Sequence, residues 1–332
     1  MKRLSIAFVV LISIVVGACA QDRAQDNGRD RGNDQVAFQT ENSEIKELSD
    51  GTKYLVHPSK ILSGGPPPDG IPSIDNPEFV SVREADDWLA DDELVVTIMR
   101  GDVTRAYPFQ VLVWHEIVNE TIEGEPILIT YCPLCGSAIA YEREINGEAV
   151  EFGTSGRLYN SNLVMYDRKT RSYWTQIGGQ AIVGELTGQV LEPVSINTTE
   201  WSMWKEHYPD GEVLSRNTGY RRSYGVDPYD GYYESSGVIF PVENADSRVH
   251  PKTVIFGIRV GEHQKAYTEK DLISRGRFED RVDGVPILVE RNEAGEVRFT
   301  NLDTGDEIIK ERDFWFAWAA FYPDTLLFGR DE

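Results

Sequence analysis

This chain predicts an α+β fold that is strand-rich, with two degenerate internal repeats in one compact unit. Three observations lead there. Short runs rich in Val, Ile and Tyr recur along the chain, and such residues suit a pleated, half-buried backbone. Comparing the chain with itself finds three landmarks twice, in the same order. "AIAYEREINGEAVEFG" alternates on both sides of Asn146-Gly147, a pair that favours the positive φ angles of a type I′ hairpin.

Taken in order, the chain begins with a basic head, Lys2-Arg3, and an apolar run from Ile6 to Val16 broken only by Ser13. That run is too short to span a bilayer and reads as a signal peptide over residues 1–18. Val16-Gly17-Ala18-Cys19 resembles a bacterial lipobox, which implies cleavage before Cys19 and acylation of its thiol; the plainer reading is an ordinary leader with a chance cysteine. Residues 19–45 are polar, with almost nothing to bury, and are expected to form a disordered tether. Residues 46–332 form the single domain. The expected place is extracytoplasmic, lipid-anchored to a bacterial membrane, in the periplasm or at the cell surface. Formal net charge is −22 and falls to −24 once Lys2 and Arg3 are removed, which argues against nucleic acid as a partner.

"ELVVTIMR", "PILITY", "NLVMYDR", "TVIFGIRV" and "PILVER" read as strands, whereas "PFQVLVWHEIVNE" has helical spacing, with Val111, Trp114, Ile117 and Val118 on one face. Copy one, about residues 95–210, carries Ala106-Tyr107, Leu112 and the run from Gly124. Copy two, about 254–324, carries Ala266-Tyr267, Leu272 and the run from Gly284. Trp201, Trp204 and Tyr208 recur as Trp315, Trp318 and Tyr322, at positions that share one helix face and read as packing. The first landmarks lie 160 residues apart and the last 114, so copy one is longer by 46. That extra stretch holds "TYCPLCGSA" and "FGTSGRLYNSNLVMYDRKTRSYWTQ", so any chemistry is expected in copy one.

With Cys19 set aside, Cys132 and Cys135 are the only thiols. A strand precedes them and a hairpin arm follows, so Cys-Pro-Leu-Cys-Gly reads as a tight turn aiming both sulfurs the same way, as in a zinc knuckle. A tetrahedral site needs four ligands and there is no second pair. His115, one element upstream, is the best additional ligand. Glu116 would then point about 100° away round a helix. Cys132, Cys135 and His115 would suit copper or zinc, or thiol–disulfide exchange without metal. A permanent structural disulfide is the third reading. "GTSGR" falls short of a nucleophile elbow because Arg157 stands where the last glycine belongs, so Ser155 is a weak nucleophile candidate. Ser155, Arg157, Tyr166, Asp167 and Arg168 would line a ligand pocket with Glu116, or pair among themselves. Asp227-Pro228-Tyr229-Asp230 reads as a turn that lines the same place.

The order "DGIPSIDNPEF", "RAYPFQVLVWHEIVNE", "TYCPLCGSA", "FGTSGRLYNSNLVMYDRKTRSYWTQ", "GVDPYDGYY" and "RVHPKTVIFGI" resembles the bacterial family termed domain of unknown function 3179, over about Ser63 to Gly329. The resemblance implies an extracytoplasmic, often lipid-anchored protein. It also implies family positions at His115, Glu116, Cys132, Cys135, Gly153, Ser155, Gly156, Asp167 and Arg168. This chain has Asn119-Glu120-Thr121 where the family pattern has Asn-Asp-Thr. The expected function is a thiol–disulfide redox or soft-metal-binding lipoprotein. The competing expectation is a non-catalytic ligand- or partner-binding lipoprotein with a Cys132–Cys135 disulfide.

Overall fold

The structure is a computed structural model that describes residues 44–331. The leader, Cys19 and the tether up to residue 43 lie outside the described residues, which all fall within the compact unit Gln35–Glu332.

Strands dominate, as the β-branched runs predict. Leu94–Arg100 and Val103–Pro108 form an antiparallel hairpin. Asn197–Glu200 pairs with the first of these strands, antiparallel, and Glu212–Leu214 pairs with the second, parallel. The helix Trp201–His207 connects those two outer strands. Val254–Val260 and His263–Thr268 form a second hairpin. Lys310–Phe314 and Leu326–Leu327 flank it in the same order and the same senses, connected by the helix Trp315–Phe321. Trp201, Trp204, Trp315 and Trp318 are fully buried, each pair one helical turn apart. Trp318 lies so close over Gly257 that a Cβ there would come within 2.5 Å of the indole.

Lys310–Phe314 also pairs with Ser137–Glu142. Through that strand the second arrangement continues into Glu125–Cys132 and Ile117–Ile122, giving one long sheet. A seven-stranded sheet contains Phe152–Tyr159, Asn162–Asp167, Tyr173–Thr175 and Ala181–Val183. Side chains from both sheets share one core cluster, in which Cys132 and Cys135 sit with Phe152, Met165, Trp174 and Trp318. Asn146 and Gly147 both have positive φ, as the hairpin between Glu144–Ile145 and Glu148–Ala149 requires.

One expected element is shorter than its spacing suggests. The helix from Pro108 stops at Leu112, and Ile117–Ile122 is a strand paired along its whole length with Glu125–Cys132. Glu116 makes the change of direction, with a left-handed φ of 59°. Six cross-strand pairs and the β-branched Ile117, Val118, Thr121 and Ile122 outweigh the local helical pattern. His115 and Glu116 therefore stand at a turn, not on a helix.

Candidate functional site

The strand Glu125–Cys132 ends in a single 3₁₀ turn, Pro133–Cys135, and Ser137–Glu142 returns antiparallel. Pro133 supplies the fixed φ that starts the turn. Gly136 leaves it at φ 57°, where a Cβ would lie 2.7 Å from the Phe314 ring. Both cysteines are buried free thiols. Cys135 Sγ donates to the Ser161 carbonyl at 3.3 Å. Burial pushes the Cys135 thiol well up; Cys132 and Asp313 add to this, while Asn162 opposes it.

Two buried carboxyls belong to the chain segments that flank the hairpin of the turn, Glu116 just before Ile117–Ile122 and Asp313 on Lys310–Phe314. Glu116 is buried at the turn before the neighbouring strand, and burial pushes its carboxyl up to about 8. It is therefore an uncharged acid at neutral pH. Both Glu116 and Cys132 act on Tyr229: burial first, then Glu116, Cys132 and Asp227, raise its phenol. The second carboxyl, Asp313, is wholly buried on the Cys135 side.

His115 has a different task from the one its position suggested. Its Nδ1 lies 2.8 Å from the Pro72 carbonyl, which only accepts, so Nδ1 carries the proton. Nε2 then accepts from the Tyr224 hydroxyl at 2.7 Å. Burial pushes the imidazole down to about 4, so it is neutral. With both nitrogens engaged, His115 has none free for a metal or a thiol. Among the described residues no group of three or more His, Cys, Asp or Glu side chains could hold a metal ion, so Cys132, Cys135 and His115 do not form the expected copper or zinc set.

A long segment without strand or α-helix, residues 215–253, covers the turn. Tyr232 donates to the Leu134 carbonyl at 2.9 Å, inside the Cys-Pro-Leu-Cys turn itself. Lys252 gathers the segment: its Nζ donates to the carbonyls of Tyr232, Ser235 and Gly237 at 2.5–2.7 Å and stands 3.5 Å from the Tyr232 ring centre. Beside the turn is a cavity of about 390 Å³ lined by Phe109, Tyr131, Tyr233 and Phe314, with Arg312, Asp227 and Glu93 as its charges. Arg312 Nη1 donates to the Gly136 carbonyl at 2.7 Å, which ties the cavity wall to the cysteine turn.

The FGTSG block lies elsewhere and does other work. Ser155 Oγ donates to the Val164 carbonyl and accepts from Arg157 N, so it is fixed within a β-bulge; Arg157 is exposed. Gly156 has φ 69°, and a Cβ there would sit 2.0 Å from the Pro66 carbonyl; at Gly153 it would sit 2.4 Å from Asp69 Oδ1. These glycines let the proline-rich segment lie directly on the strand, where Asp69 N donates to the Thr154 carbonyl at 2.9 Å. Asp167 accepts from Ser172 N and Trp174 Nε1, and Arg168 is held by Asp75 at 2.7 Å and Glu151 at 3.0 Å. Tyr166 donates to Asp69. Of the sequence-derived candidates, Cys132 and Cys135 share one turn, Glu116 and Cys132 both act on Tyr229, and Arg168 lies against residues 69–75, while Ser155 and Asp167 are held by bonds within their own sheet and turn.

A family model described as "Protein of unknown function (DUF3179)" matches residues 68–308. The chain belongs to this family. No curated protein and no solved structure matches it. The DUF3179 stretch contains the cysteine turn, Glu116, His115 and the tyrosine-rich cover, whereas Asp313 lies just beyond it. Sequence reading missed Asp313, Tyr232 and Lys252. The only signal for the last two was the tyrosine density of residues 220–233.

Proposed function

We propose that this protein is an extracytoplasmic, lipid-anchored thiol–disulfide redox protein whose reacting pair is Cys132 and Cys135. The observation that carries this reading is two buried free thiols in one tight turn, with the wholly buried carboxyl of Asp313 on the strand that pairs with Ser137–Glu142. Burying a carboxyl without an ion-pair partner costs stability, and such groups concentrate where protons are moved. The lipid anchor rests on the lipobox-like segment ending at Cys19.

The chemistry is disulfide exchange. The Cys132 thiolate attacks one sulfur of a substrate disulfide, whose S–S bond breaks and releases one thiol. Cys135 then attacks the Cys132 sulfur of the mixed disulfide, closes the Cys132–Cys135 bond and releases the second thiol. Two electrons pass from the dithiol to the substrate. Burial raises the Cys135 thiol, so it enters the second step carrying its proton. Both thiols are free in this structure, so the Pro133–Cys135 turn must shift to let the sulfurs meet as the bond closes. The aromatic cavity beside the turn is where the substrate's flanking groups would rest.

The test is a trapping experiment with a small protein disulfide as substrate. Cys135→Ser should accumulate a mixed disulfide through Cys132, and Cys132→Ser should form none. If neither variant traps substrate while the parent leaves it unreduced, the cavity is the remaining feature, and a ligand-binding lipoprotein becomes the better reading.

A further inference from the structure

Lys310–Phe314 runs through the middle of the long sheet, between Val254–Val260 and Ser137–Glu142. Arg312 pairs with Ala138 in an antiparallel register, so the next residue, Asp313, lies beside Ser137. Ser137 in turn pairs with Cys132. Residues opposite one another on adjacent strands share a face, so Asp313, Ser137 and Cys132 form one row across three strands. Arg312, one residue away, faces the other side and reaches the Gly136 carbonyl.

The Asp313 side of this row is a buried polar cluster. Asp313 is 0 % exposed, and neither of its carboxyl oxygens has a hydrogen-bond partner. The same holds for Ser137 Oγ and Ser161 Oγ. Ser161 also supplies the carbonyl on which the Cys135 thiol rests. The titratable and charged groups around Asp313 come from every packed element. Glu311 is on its own strand, held by Arg259 at 3.3 Å; Tyr141 is on the neighbouring strand, Tyr322 just after the following helix, and Cys135 on the turn. Burial first, then Glu311, raises the Asp313 carboxyl well above its usual range, against smaller opposing effects of Ser137 and Arg312. Among the described residues no ion pair reaches it: Arg259 pairs with Glu311, and Arg312 Nη1 donates to a carbonyl. Nothing in the packing accounts for keeping a carboxyl at this position, since an apolar side chain would avoid the cost of burying it.

We propose that Asp313 accepts the proton of Cys135 through the Ser137 hydroxyl, which must rotate to bridge them as the Cys135 thiol leaves the Ser161 carbonyl, making Asp313 the positioning acid–base group of the second exchange step. This rests on the redox reading of Cys132 and Cys135 given above. As the Cys135 S–H bond breaks, the proton passes to the carboxylate. The sulfur forms its bond to Cys132, the Cys132–substrate S–S bond breaks, and the leaving thiolate is protonated. In reverse, the protonated carboxyl returns its proton to Cys135 as the disulfide opens. At low pH the carboxyl retains its proton and the second step is slow; the step accelerates as pH rises through the titration of Asp313.

The experiment uses the full chain carrying Cys19→Ala, so that only two thiols report, with 5,5′-dithiobis(2-nitrobenzoate) as the disulfide probe. Attack by Cys132 releases one chromophore and closure by Cys135 releases a second, so the steps are read separately. For Asp313→Asn the first release should stay within about twofold of the parent. The second should slow by roughly 100-fold where the parent's second step has reached its high-pH plateau, and should lose the parent's rise with pH. A folded Asp313→Asn with the parent's second-step rate and pH profile overturns the assignment. Should that variant not fold, Ser137→Ala is read in the same way, and a flat second-step profile in the parent overturns the assignment as well. A parent that gives no second release at all contradicts the redox reading, and this inference falls with it.

Discussion

Glu116→Gln isolates one buried acid without changing its shape. The carboxyl moves from an ordinary 4.5 to about 8 because it is buried at the turn before Ile117–Ile122. Its folded-state value is raised, so the stability it contributes is fully present below about pH 4.5 and is lost as pH rises through about 8. At 1.36 kcal/mol for each pKa unit, the parent should lose on the order of 5 kcal/mol from this group across that window. Glutamine does not titrate and keeps the same left-handed backbone strain at φ 59°, so the variant should lose none of it. Urea unfolding at about pH 5 and pH 8.5 reads the difference. The parent midpoint should fall by roughly 1–2 M more than that of the variant. Other buried carboxyls titrate in both proteins and cancel in this comparison. Parallel shifts would mean that Glu116 is ionised in the fold, and the uncharged acid at this turn would be lost from the account.

Three further outcomes follow from the same geometry. Lys252→Met removes a cation from three carbonyls of the cover, so iodoacetamide should alkylate Cys132 at least about tenfold faster while overall stability changes less. Gly156→Ala places a Cβ against the Pro66 carbonyl at a positive φ and should cost more than about 2 kcal/mol in thermal unfolding. Gly65→Ala, also at positive φ but with open space around it, should cost less. His115 is pushed down to about 4, so its contribution is present above about pH 6.5 and lost as pH falls through 4. The parent should therefore lose about 3 kcal/mol over that window in urea melts, and His115→Gln should not.

Much of the architecture was legible because its signals are local. Asn146-Gly147 dictates its own turn, the β-branched runs form strands, and Trp201/Trp204 and Trp315/Trp318 lie on buried helix faces. Sequence spacing misled at His115-Glu116, where pairing with Glu125–Cys132 ends the helix early. The cysteine turn was legible from Pro133 and Gly136. The FGTSG glycines read as a site motif because nothing local reveals that Pro66 and Asp69 will lie against them. Asp313 was out of reach for the same reason: only the pairing of Arg312 with Ala138, far apart in the chain, brings it beside the cysteine turn.

The central claim is that Cys132 and Cys135 exchange reversibly between dithiol and disulfide. Equilibrate the folded Cys19→Ala chain in glutathione buffers of graded redox ratio, trap the thiols and count them by mass. The account predicts a single two-electron transition that forms the Cys132–Cys135 disulfide and reverses fully on returning to reducing buffer. Two thiols that stay free across the whole series in folded protein, or a disulfide that no buffer opens, would contradict it.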